Sequence, residues 1–476
     1  MKKDRKQFNL TLIILVVTLG GLLFGYDTAV ISGTVKYLNI NFIEQHNLSE
    51  TLANSLLGFT VSSALIGCVL GGFWGGPLSI KLGRKRSLLI AAFLFVFSAV
   101  GSAFPDFYSF GTNTYKFLTV FISFRIIGGV GVGLASMLVP MYIAEVAPAN
   151  QRGRMVSFNQ MAVVLGMLIV YFVNYFIATC GSGEQWLADM GWRLMFLSGI
   201  IPALLFFVLL FFVPESPRWL MMAGKYKQAF AVLKRISEDT MAEKEFLAIQ
   251  HSLSQTKTKS RLFAFGGAVV LIGVLLSMFQ QLVGINVVMY YAPEVFRNMG
   301  FKTDGALFQT IIVGIINLVA TYIAILKVDK LGRRPLMMLG SWLMALAMLL
   351  LGTFFYFGNF GIGTLIIMLC YTAAFSLSWG PVTWVLLSEI FPNEIRSQAM
   401  SISVAVQWIA NYLVSWTFPM MDKSTLLLDL FHGGFAYWLY GLMGILSALF
   451  IWKFVPETKG VSLEQIRMIF TKKKEV

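Results

Sequence analysis

The heptapeptide "KLGRKRS" (residues 81–87) is similar to a second heptapeptide, "KLGRRPL" (residues 330–336), and both follow a long apolar stretch. Two further pairs repeat in the same order: "AEVAPANQR" (144–152) with "SEIFPNEIR" (388–396), and "PESPR" (214–218) with "PETKG" (456–460). The members of each pair are separated by nearly the same interval. Matched features at one interval predict two homologous halves, an organisation typical of secondary transporters.

The composition indicates a membrane protein. Of 476 residues, 57% are hydrophobic and 13% are charged, which is far outside the soluble range. A helix needs about 20 apolar residues to cross a bilayer. We predict twelve such spans, at residues 8–33, 54–80, 87–105, 117–144, 156–178, 191–213, 263–296, 306–328, 335–357, 362–389, 398–420 and 431–455. The fold class is therefore an all-α polytopic membrane protein with two six-helix halves.

The net charge of +14 is explained by topology. The basic residues concentrate in alternate loops, near residues 2–6, 81–86, 152–154, 225–235, 327–334 and 472–474. By the positive-inside rule, both termini and the stretch after the sixth span are cytoplasmic. This distribution argues against a nucleic-acid partner and makes the lipid bilayer the expected surroundings.

The spans and the repeats divide the chain into four parts. Residues 1–213 form the N-terminal half, 214–262 a cytoplasmic linker with short amphipathic helices, 263–455 the C-terminal half and 456–476 a cytoplasmic tail. The linker has no Gly-rich phosphate-binding loop, which argues against ATP-driven transport. No His/Cys cluster has metal-ligand spacing, and no nucleophile lies near a base. We therefore expect no bound metal, no cofactor and no enzyme activity.

The ordered motifs "GRKRS", "RIIGGVGVG", "PESPRW", "GRRP" and "PETKG" resemble the sugar-porter family of the major facilitator superfamily over essentially the whole chain. "GGLLFGYDTAVISG", "FQQ" with "GINVV", and "SWGPV" with "WVLLSEIFPN" are most similar to its bacterial D-xylose:proton symporters. The resemblance implies D-xylose:proton symport by alternating access, in a bacterial inner membrane and as a monomer. Met167, however, is apolar where close xylose symporters carry an amide, so a hexose stays open as the substrate.

A sugar site needs amides and aromatic rings, because a sugar offers hydroxyl groups and apolar C–H faces. Such side chains lie inside several predicted spans, and Gly284 and Gly380-Pro381 are expected to interrupt two of these helices. By resemblance, the sugar contacts are Gln160, Gln280, Gln281, Asn286, Trp384 and Gln407, with Phe24, Asn317, Gly380 and Trp408 nearby. The resemblance also places Tyr290 and Tyr291 at the outer gate.

Asp27 lies inside the first predicted span. A charged side chain at mid-bilayer costs at least about 2.5 kcal/mol, so it is expected to be paired, protonated or functional. Arg125 is the only arginine well inside a span of the first half, and we expect an Asp27–Arg125 salt bridge. The resemblance assigns Asp27 the proton-coupling role; the alternative is a static ion pair that only fixes helix packing.

The repeated loop motifs carry charges of both signs. The resemblance makes them a cytoplasmic salt-bridge network that latches the inner face: Arg84, Glu145, Arg152, Glu215, Arg333, Glu389 and Arg396. For any one loop arginine, topology alone is an equal explanation.

Two other functions stay open. A facilitative hexose or pentose uniporter would have the same pocket and a structural Asp27. A non-transporting sugar sensor would usually carry a long cytoplasmic tail, whereas about twenty residues follow the last span here.

Overall fold

The computed structural model describes residues 10–108, 114–147, 152–181, 183–237, 239–255, 267–391 and 395–459, and these residues contain helices and no strands. The helices of the N-terminal half are α1 (Leu10–Ala29), α2 (Val35–Phe42), α3 (Glu50–Leu82), α4 (Arg84–Ala103), α5 (Thr114–Val146), α6 (Arg152–Cys180), α7 (Glu184–Trp186), α8 (Trp192–Leu197) and α9 (Ile200–Leu210). The linker contains α10 (Pro217–Met222), α11 (Tyr226–Ile236) and α12 (Asp239–Gln255).

The helices of the C-terminal half are α13 (Gly267–Leu282), α14 (Ile285–Asn298), α15 (Thr303–Leu331), α16 (Arg333–Tyr356), α17 (Ile362–Leu377), α18 (Trp379–Ile390), α19 (Arg396–Asp422), α20 (Thr425–Phe431) and α21 (Phe435–Phe454). Short 3₁₀ turns lie at Val30–Gly33, Glu44–His46 and Pro105–Tyr108, and a π turn at Leu187–Gly191 joins α7 to α8. The sequence predicts that the sixth span begins at residue 191. In the structure it begins earlier, near Glu184.

Eleven stretches of the described chain are helical, long and apolar enough to cross a membrane. The remaining expected span is α19, which is 27 residues long and so extends about 40 Å. It is less apolar than the others because it carries Gln407, Asn411 and several serines. The prediction of an all-α polytopic protein is confirmed, and its most polar span carries predicted sugar contacts.

Helices α3 and α5 cross at van der Waals distance because glycines line their contact. A Cβ added to Gly129 would lie 1.8 Å from the carbonyl oxygen of Ala64, and one on Gly67 would lie 1.9 Å from that of Ile126. Small residues at such crossings allow backbones to approach closely in membranes. This packing places Arg125, on α5, at a fixed depth beside α1.

Two spans of the C-terminal half are interrupted, but only one at the expected residue. Gly284 separates α13 from α14 and has φ +90°, a left-handed conformation that favours glycine. The second interruption lies at Ser378, between α17 and α18, and not at Gly380-Pro381. Pro381 lies in the first turn of α18, where its missing N–H group costs no helical hydrogen bond.

The linker forms the expected short helices. Ser216 caps α10 by accepting a hydrogen bond from the backbone N–H of Trp219 at 3.3 Å. Leu220, Met221 and Ala229 form a small apolar cluster that packs α10 against α11 and α12. The linker helices thus have a core of their own, separate from that of the spans.

Candidate functional site

The expected Asp27–Arg125 ion pair is present between α1 and α5. Arg125 Nη1 donates to Asp27 Oδ1 at 3.0 Å, and Nη2 donates to the backbone oxygen of Asp27 at 3.1 Å. The Arg125 side chain is 2% exposed and that of Asp27 16%. Asp27 Oδ2 is buried and accepts no hydrogen bond in the described structure. The carboxylate therefore has one oxygen in the ion pair and one without a hydrogen bond among the described residues.

A small cavity adjoins this pair inside the N-terminal half. Its lining includes Asp27, Arg125, Ser98, Ser102 and Phe196. Ser98 donates to the backbone oxygen of Phe124 at 2.8 Å, whereas the Ser102 hydroxyl is buried without a partner among the described residues. The guanidinium of Arg125 lies 5.3 Å from the centre of the Phe196 ring, a cation–π contact. The cavity lining therefore combines the ion pair with two serines and with apolar side chains.

The amides of the seventh span form one connected group at the interruption near Gly284. Gln280 Nε2 donates to the backbone oxygen of Trp379 at 2.9 Å, which links α13 to the start of α18. Gln281 Nε2 donates to Gln280 Oε1 at 3.4 Å, and Asn286 donates to Gln281 Oε1. These three predicted sugar contacts are therefore brought together, with Gly380 beside them because its carbonyl lies 3.4 Å from Gln280 Nε2.

Helix α19 carries the next predicted contacts. Gln407 is 8% exposed, and its Oε1 atom is buried without a hydrogen bond among the described residues. Its neighbour Trp408 packs on Phe24 of α1, with ring centres 5.5 Å apart. This contact joins the two halves one helical turn from Asp27. The predicted sugar contacts of α19 thus pack, through Trp408, on the helix that carries Asp27.

Two other predicted contacts are half-buried, Gln160 on α6 and Trp384 on α18. Asn317 on α15 is engaged within the protein: its Oδ1 accepts from Ser376 Oγ of α17 at 2.7 Å. It thus connects α15 to α17.

The two predicted gate tyrosines are buried, at 3% and 1% exposure for Tyr290 and Tyr291. Tyr291 donates to the backbone oxygen of Ser415 at 2.9 Å, and Asn411 Nδ2 donates to the Tyr290 hydroxyl at 3.4 Å. Both side chains thereby attach α14 to α19.

The repeated loop motifs form two equivalent networks, one in each half. In the first, Arg84 binds Glu145 in a bidentate ion pair, with Nη2–Oε1 at 2.8 Å and Nε–Oε2 at 2.9 Å. In the second, Arg333 binds Glu389 in the same way, at 2.9 and 3.2 Å. A hydroxyl joins each glutamate at 2.5 Å, from Ser216 and Thr458 respectively. Each network thus binds helices of its own half together.

A second glutamate closes each network, and the two differ in their pKa. Burial raises the pKa of Glu215, although backbone N–H groups of Ser216, Lys85 and Arg84 donate to it and lower the pKa in part. Burial acts in the same direction at Glu457, but four backbone N–H donors outweigh it and the pKa is lowered. The side chains of the remaining predicted latch residues, Arg152 and Arg396, lie outside the described part of the structure.

Hydrogen bonds join the two halves at the opposite end of the molecule. Trp416 Nε1 of α19 donates to the backbone oxygen of Ser55 on α3 at 3.1 Å. The N–H of Thr425, which begins α20, donates to Glu50 Oε1 at 2.6 Å, and Thr303 donates to Glu184. We call these three contacts the inter-half clasp.

Comparison with known proteins identifies the family. The family model described as "Sugar (and other) transporter" matches residues 13–470. The chain belongs to this family. It is 59% identical over 467 residues to the D-xylose-proton symporter of Escherichia coli (strain K12), covering 96% of this chain and 95% of that one. It is 41% identical to the glucose facilitated diffusion protein of Zymomonas mobilis, over the full length of both.

A solved structure shares the fold. The proton:xylose symporter XylE of the major facilitator superfamily, bound to 6-bromo-6-deoxy-D-glucose, is 58% identical with a TM-score of 0.84, and covers 97% of this chain and 99% of its own. The fold is therefore that of the major facilitator superfamily, as the motifs indicated. The family and fold are those of a multi-pass inner-membrane transporter and not of an enzyme.

Several site residues escaped the sequence analysis. Tyr371 donates to the backbone oxygen of Val283 at 2.7 Å, which satisfies a carbonyl at the helix interruption. Tyr171 of α6 donates to the backbone oxygen of Met289 on α14 at 2.9 Å, across the two halves. No sequence signal marks these tyrosines. In contrast, Ser216 and Thr458 each follow the glutamate of a repeated motif, and the repeat alone could have identified them.

Proposed function

We propose that this protein imports D-xylose together with a proton by alternating access, as a monomer. The observation that carries the proposal is the buried Asp27–Arg125 pair, in which one carboxylate oxygen has no hydrogen-bond partner among the described residues. A relative named as a D-xylose-proton symporter, 59% identical over nearly the whole chain, supports the same assignment. Symport needs a titratable group that both halves sense, and Asp27 adjoins the Phe24–Trp408 contact between them.

The proposed sugar contacts are Gln160, Gln280, Gln281, Asn286, Trp384 and Gln407, with Phe24, Asn317, Gly380 and Trp408 nearby. Amides can both donate to and accept from sugar hydroxyl groups, and an indole ring can cover an apolar sugar face. The side-chain N–H groups of Gln280 and Gln281 donate to acceptors within the protein. A sugar bound here would contact α13, α18 and α19 at once, because the proposed contacts come from all three helices.

Proton binding at Asp27 is the proposed coupling step. A neutral carboxyl group no longer attracts Arg125, whose guanidinium then keeps the Phe196 contact and the backbone oxygen of residue 27. Loss of the ion pair would leave one hydrogen bond between Arg125 and α1 in place of two, so that α1 could move more easily relative to α5. Because Phe24 lies one turn before Asp27, this movement would alter the Phe24–Trp408 contact beside the sugar site.

The proposed orientation has both termini and the two loop networks in the cytoplasm, following the basic loops. We retain the division into 1–213, 214–262, 263–455 and 456–476. The inter-half clasp then lies at the outer face, and its hydrogen bonds close that face. The loop networks would act as the inner latch of each half, with Tyr290 and Tyr291 bracing α14 at the outer gate.

A facilitative uniporter is the second candidate. The 41% identity to a glucose facilitated diffusion protein favours it. In this function Asp27 would serve only as a packing ion pair.

Uptake of radiolabelled D-xylose and D-glucose into vesicles, with and without an inward proton gradient, separates the two functions. Accumulation of D-xylose above equilibrium only with the gradient is expected for the symporter. Equilibration of the sugar that does not depend on the proton gradient would overturn symport and establish the uniporter. Accumulation of D-glucose but not D-xylose would keep the coupling and change the substrate.

A further inference from the structure

A second cavity lies outside the transport pathway, where the linker meets the N-terminal half. It has a volume of about 300 Å³, and its lining includes Lys85, Phe211, Val213, Gln228, Val232 and Arg235. Its walls come from the start of α4, the residues that follow α9, and one face of α11. This volume lies in the range of small-molecule sites. Glu215 of the first loop network also lines the cavity, but the transport mechanism above uses neither the Lys85 ammonium nor Arg235.

The charge of the cavity favours an anion. Lys85 and Arg235 contribute two positive charges from different elements, α4 and α11. The Lys85 ammonium donates to the backbone oxygen of Phe211 at 2.8 Å, which holds it at the cavity wall with donors remaining. Glu215 also lines the cavity, but its oxygens accept from the backbone N–H groups of Arg84, Lys85 and Ser216. These fixed donors offset the one carboxylate charge.

An apolar strip leads from the cavity along α9. At spacings of three and four residues, its side chains point away from the protein: Ile201, Leu204, Leu205, Val208 and Phe212 are between 44% and 72% exposed. The span that contains α9 is the least buried of the eleven. An outward apolar strip of this kind faces lipid acyl chains. It ends at Phe211 and Phe212, directly at the mouth of the cationic cavity.

We propose that this cavity binds the phosphate headgroup of an anionic phospholipid of the cytoplasmic leaflet, with the acyl chains lying along the exposed face of α9. The assignment to the cytoplasmic leaflet rests on the orientation proposed above. The assignment of the binding site does not depend on that orientation. A lipid satisfies both features at once, since its phosphate meets Lys85 and Arg235 while its tails cover the apolar strip. Cations near a membrane surface contribute about 1 kcal/mol each to binding of anionic lipid.

The bound lipid would attach the linker to the transporting half. Arg235 belongs to α11, whereas Lys85 immediately follows Arg84 of the first loop network. A phosphate between these two cations ties α11 to the base of α4. Anionic lipid would therefore hold the linker against the N-terminal half during transport.

The test is native mass spectrometry of the purified full-length protein, titrated with dioleoylphosphatidylglycerol or dioleoylphosphatidylcholine. The double variant Lys85→Gln/Arg235→Gln is expected to bind the first phosphatidylglycerol about tenfold or more weakly than the wild type. A charge-preserving variant, Lys85→Arg/Arg235→Lys, is expected to keep most of this affinity. Phosphatidylcholine should show no comparable tight site in any of them.

The matched control is Lys81→Gln/Lys327→Gln, which removes two exposed lysines from the same face of the protein but outside the cavity. An equal loss of phosphatidylglycerol in this control would overturn the proposal, because general surface charge would explain the binding. Full displacement of the lipid by millimolar sodium phosphate would overturn the lipid assignment and leave an inorganic anion site. Unchanged binding in Lys85→Gln/Arg235→Gln would overturn the site itself.

Discussion

Arg125 holds Asp27 at two points, the carboxylate oxygen Oδ1 and the backbone carbonyl oxygen of the same residue. The guanidinium therefore stays at α1 through the backbone contact even when the carboxylate is neutral. Meanwhile the other carboxylate oxygen, Oδ2, is buried without a hydrogen bond in the described structure. The proposed coupling role of Asp27 and a static ion pair predict different results when this carboxylate is removed.

The first prediction concerns coupling. Asp27→Asn removes the titratable group but keeps a similar shape, so we expect proton-driven accumulation of D-xylose to disappear while sugar counterflow continues. Both are measured in proteoliposomes. The control is Asp106→Asn, which breaks the exposed ion pair with Arg193 and should preserve accumulation. Normal accumulation by Asp27→Asn would contradict the coupling role.

The second prediction separates sugar contacts from structural amides. Gln280→Ala is expected to weaken D-xylose binding about tenfold or more, since a buried hydrogen-bonding partner of the sugar is worth about 1–3 kcal/mol. Asn317→Ala leaves the Ser376 hydroxyl without one of its acceptors and should mainly lower the melting temperature. Isothermal titration and thermal unfolding of the same samples measure the two effects. If Asn317→Ala weakened sugar binding and Gln280→Ala mainly lowered the melting temperature, Asn317 would be the sugar contact and Gln280 the structural amide.

The third prediction concerns the crossing of α3 and α5. Gly129→Ala places a methyl group where the Ala64 carbonyl oxygen now lies, and overpacking of this kind typically costs about 1–3 kcal/mol. We expect a lower melting temperature and weaker transport because Arg125 shares this helix. Gly267→Ala is the control, since no atom lies within 4 Å of the added methyl group there. Equal stability of both variants would argue against a tight crossing.

The fourth prediction concerns pH. The pKa of Glu215 is raised in the folded protein. Its contribution to stability therefore increases as pH falls from above this raised pKa to below the ordinary pKa of glutamate. Glu457 has a lowered pKa, so its contribution is present above the ordinary pKa and is lost as pH falls through the lowered value. Glu215→Gln should therefore remove a gain in melting temperature between pH 7.5 and pH 5.

Glu457→Gln should instead lower the melting temperature at pH 7.5. The exposed linker residue Glu243 provides the control, and Glu243→Gln should change neither profile. Identical pH profiles for the Glu215 and Glu457 variants would show that the two networks titrate alike.

The fifth prediction concerns the inter-half clasp. Trp416→Phe and Thr303→Val together remove two of its hydrogen bonds, so the population in which this end is open should increase. Spin labels at Leu52→Cys and Leu426→Cys, with Cys180 and Cys370 replaced by serine, would report longer distances by double electron–electron resonance. Thr417→Val is the control, because its hydroxyl bonds only within α19 among the described contacts. An unchanged distance distribution would show that the clasp does not hold this end closed.

Much of the architecture follows from local sequence. Apolar length determines a membrane span, because an unpaired backbone group in lipid is too costly for any structure but a helix. The Gly284 interruption was also predictable, since only glycine readily adopts its left-handed conformation. The sequence predicts the second interruption at Gly380-Pro381, whereas the structure has it earlier, at Ser378. Pro381 is compatible with the first turn of a helix, so it does not itself end α17.

The sequence by itself determined the helical class, the two repeated halves and the buried charge at Asp27, since these depend on composition, spacing and the cost of charge in a bilayer. Only the tertiary structure decided which partners these groups have. It left Asp27 Oδ2 open, engaged Asn317 with Ser376, turned Gln280 towards Trp379 and assembled the cavity between Lys85 and Arg235. These contacts join residues far apart in the chain, so their geometry comes from helix packing and not from local sequence.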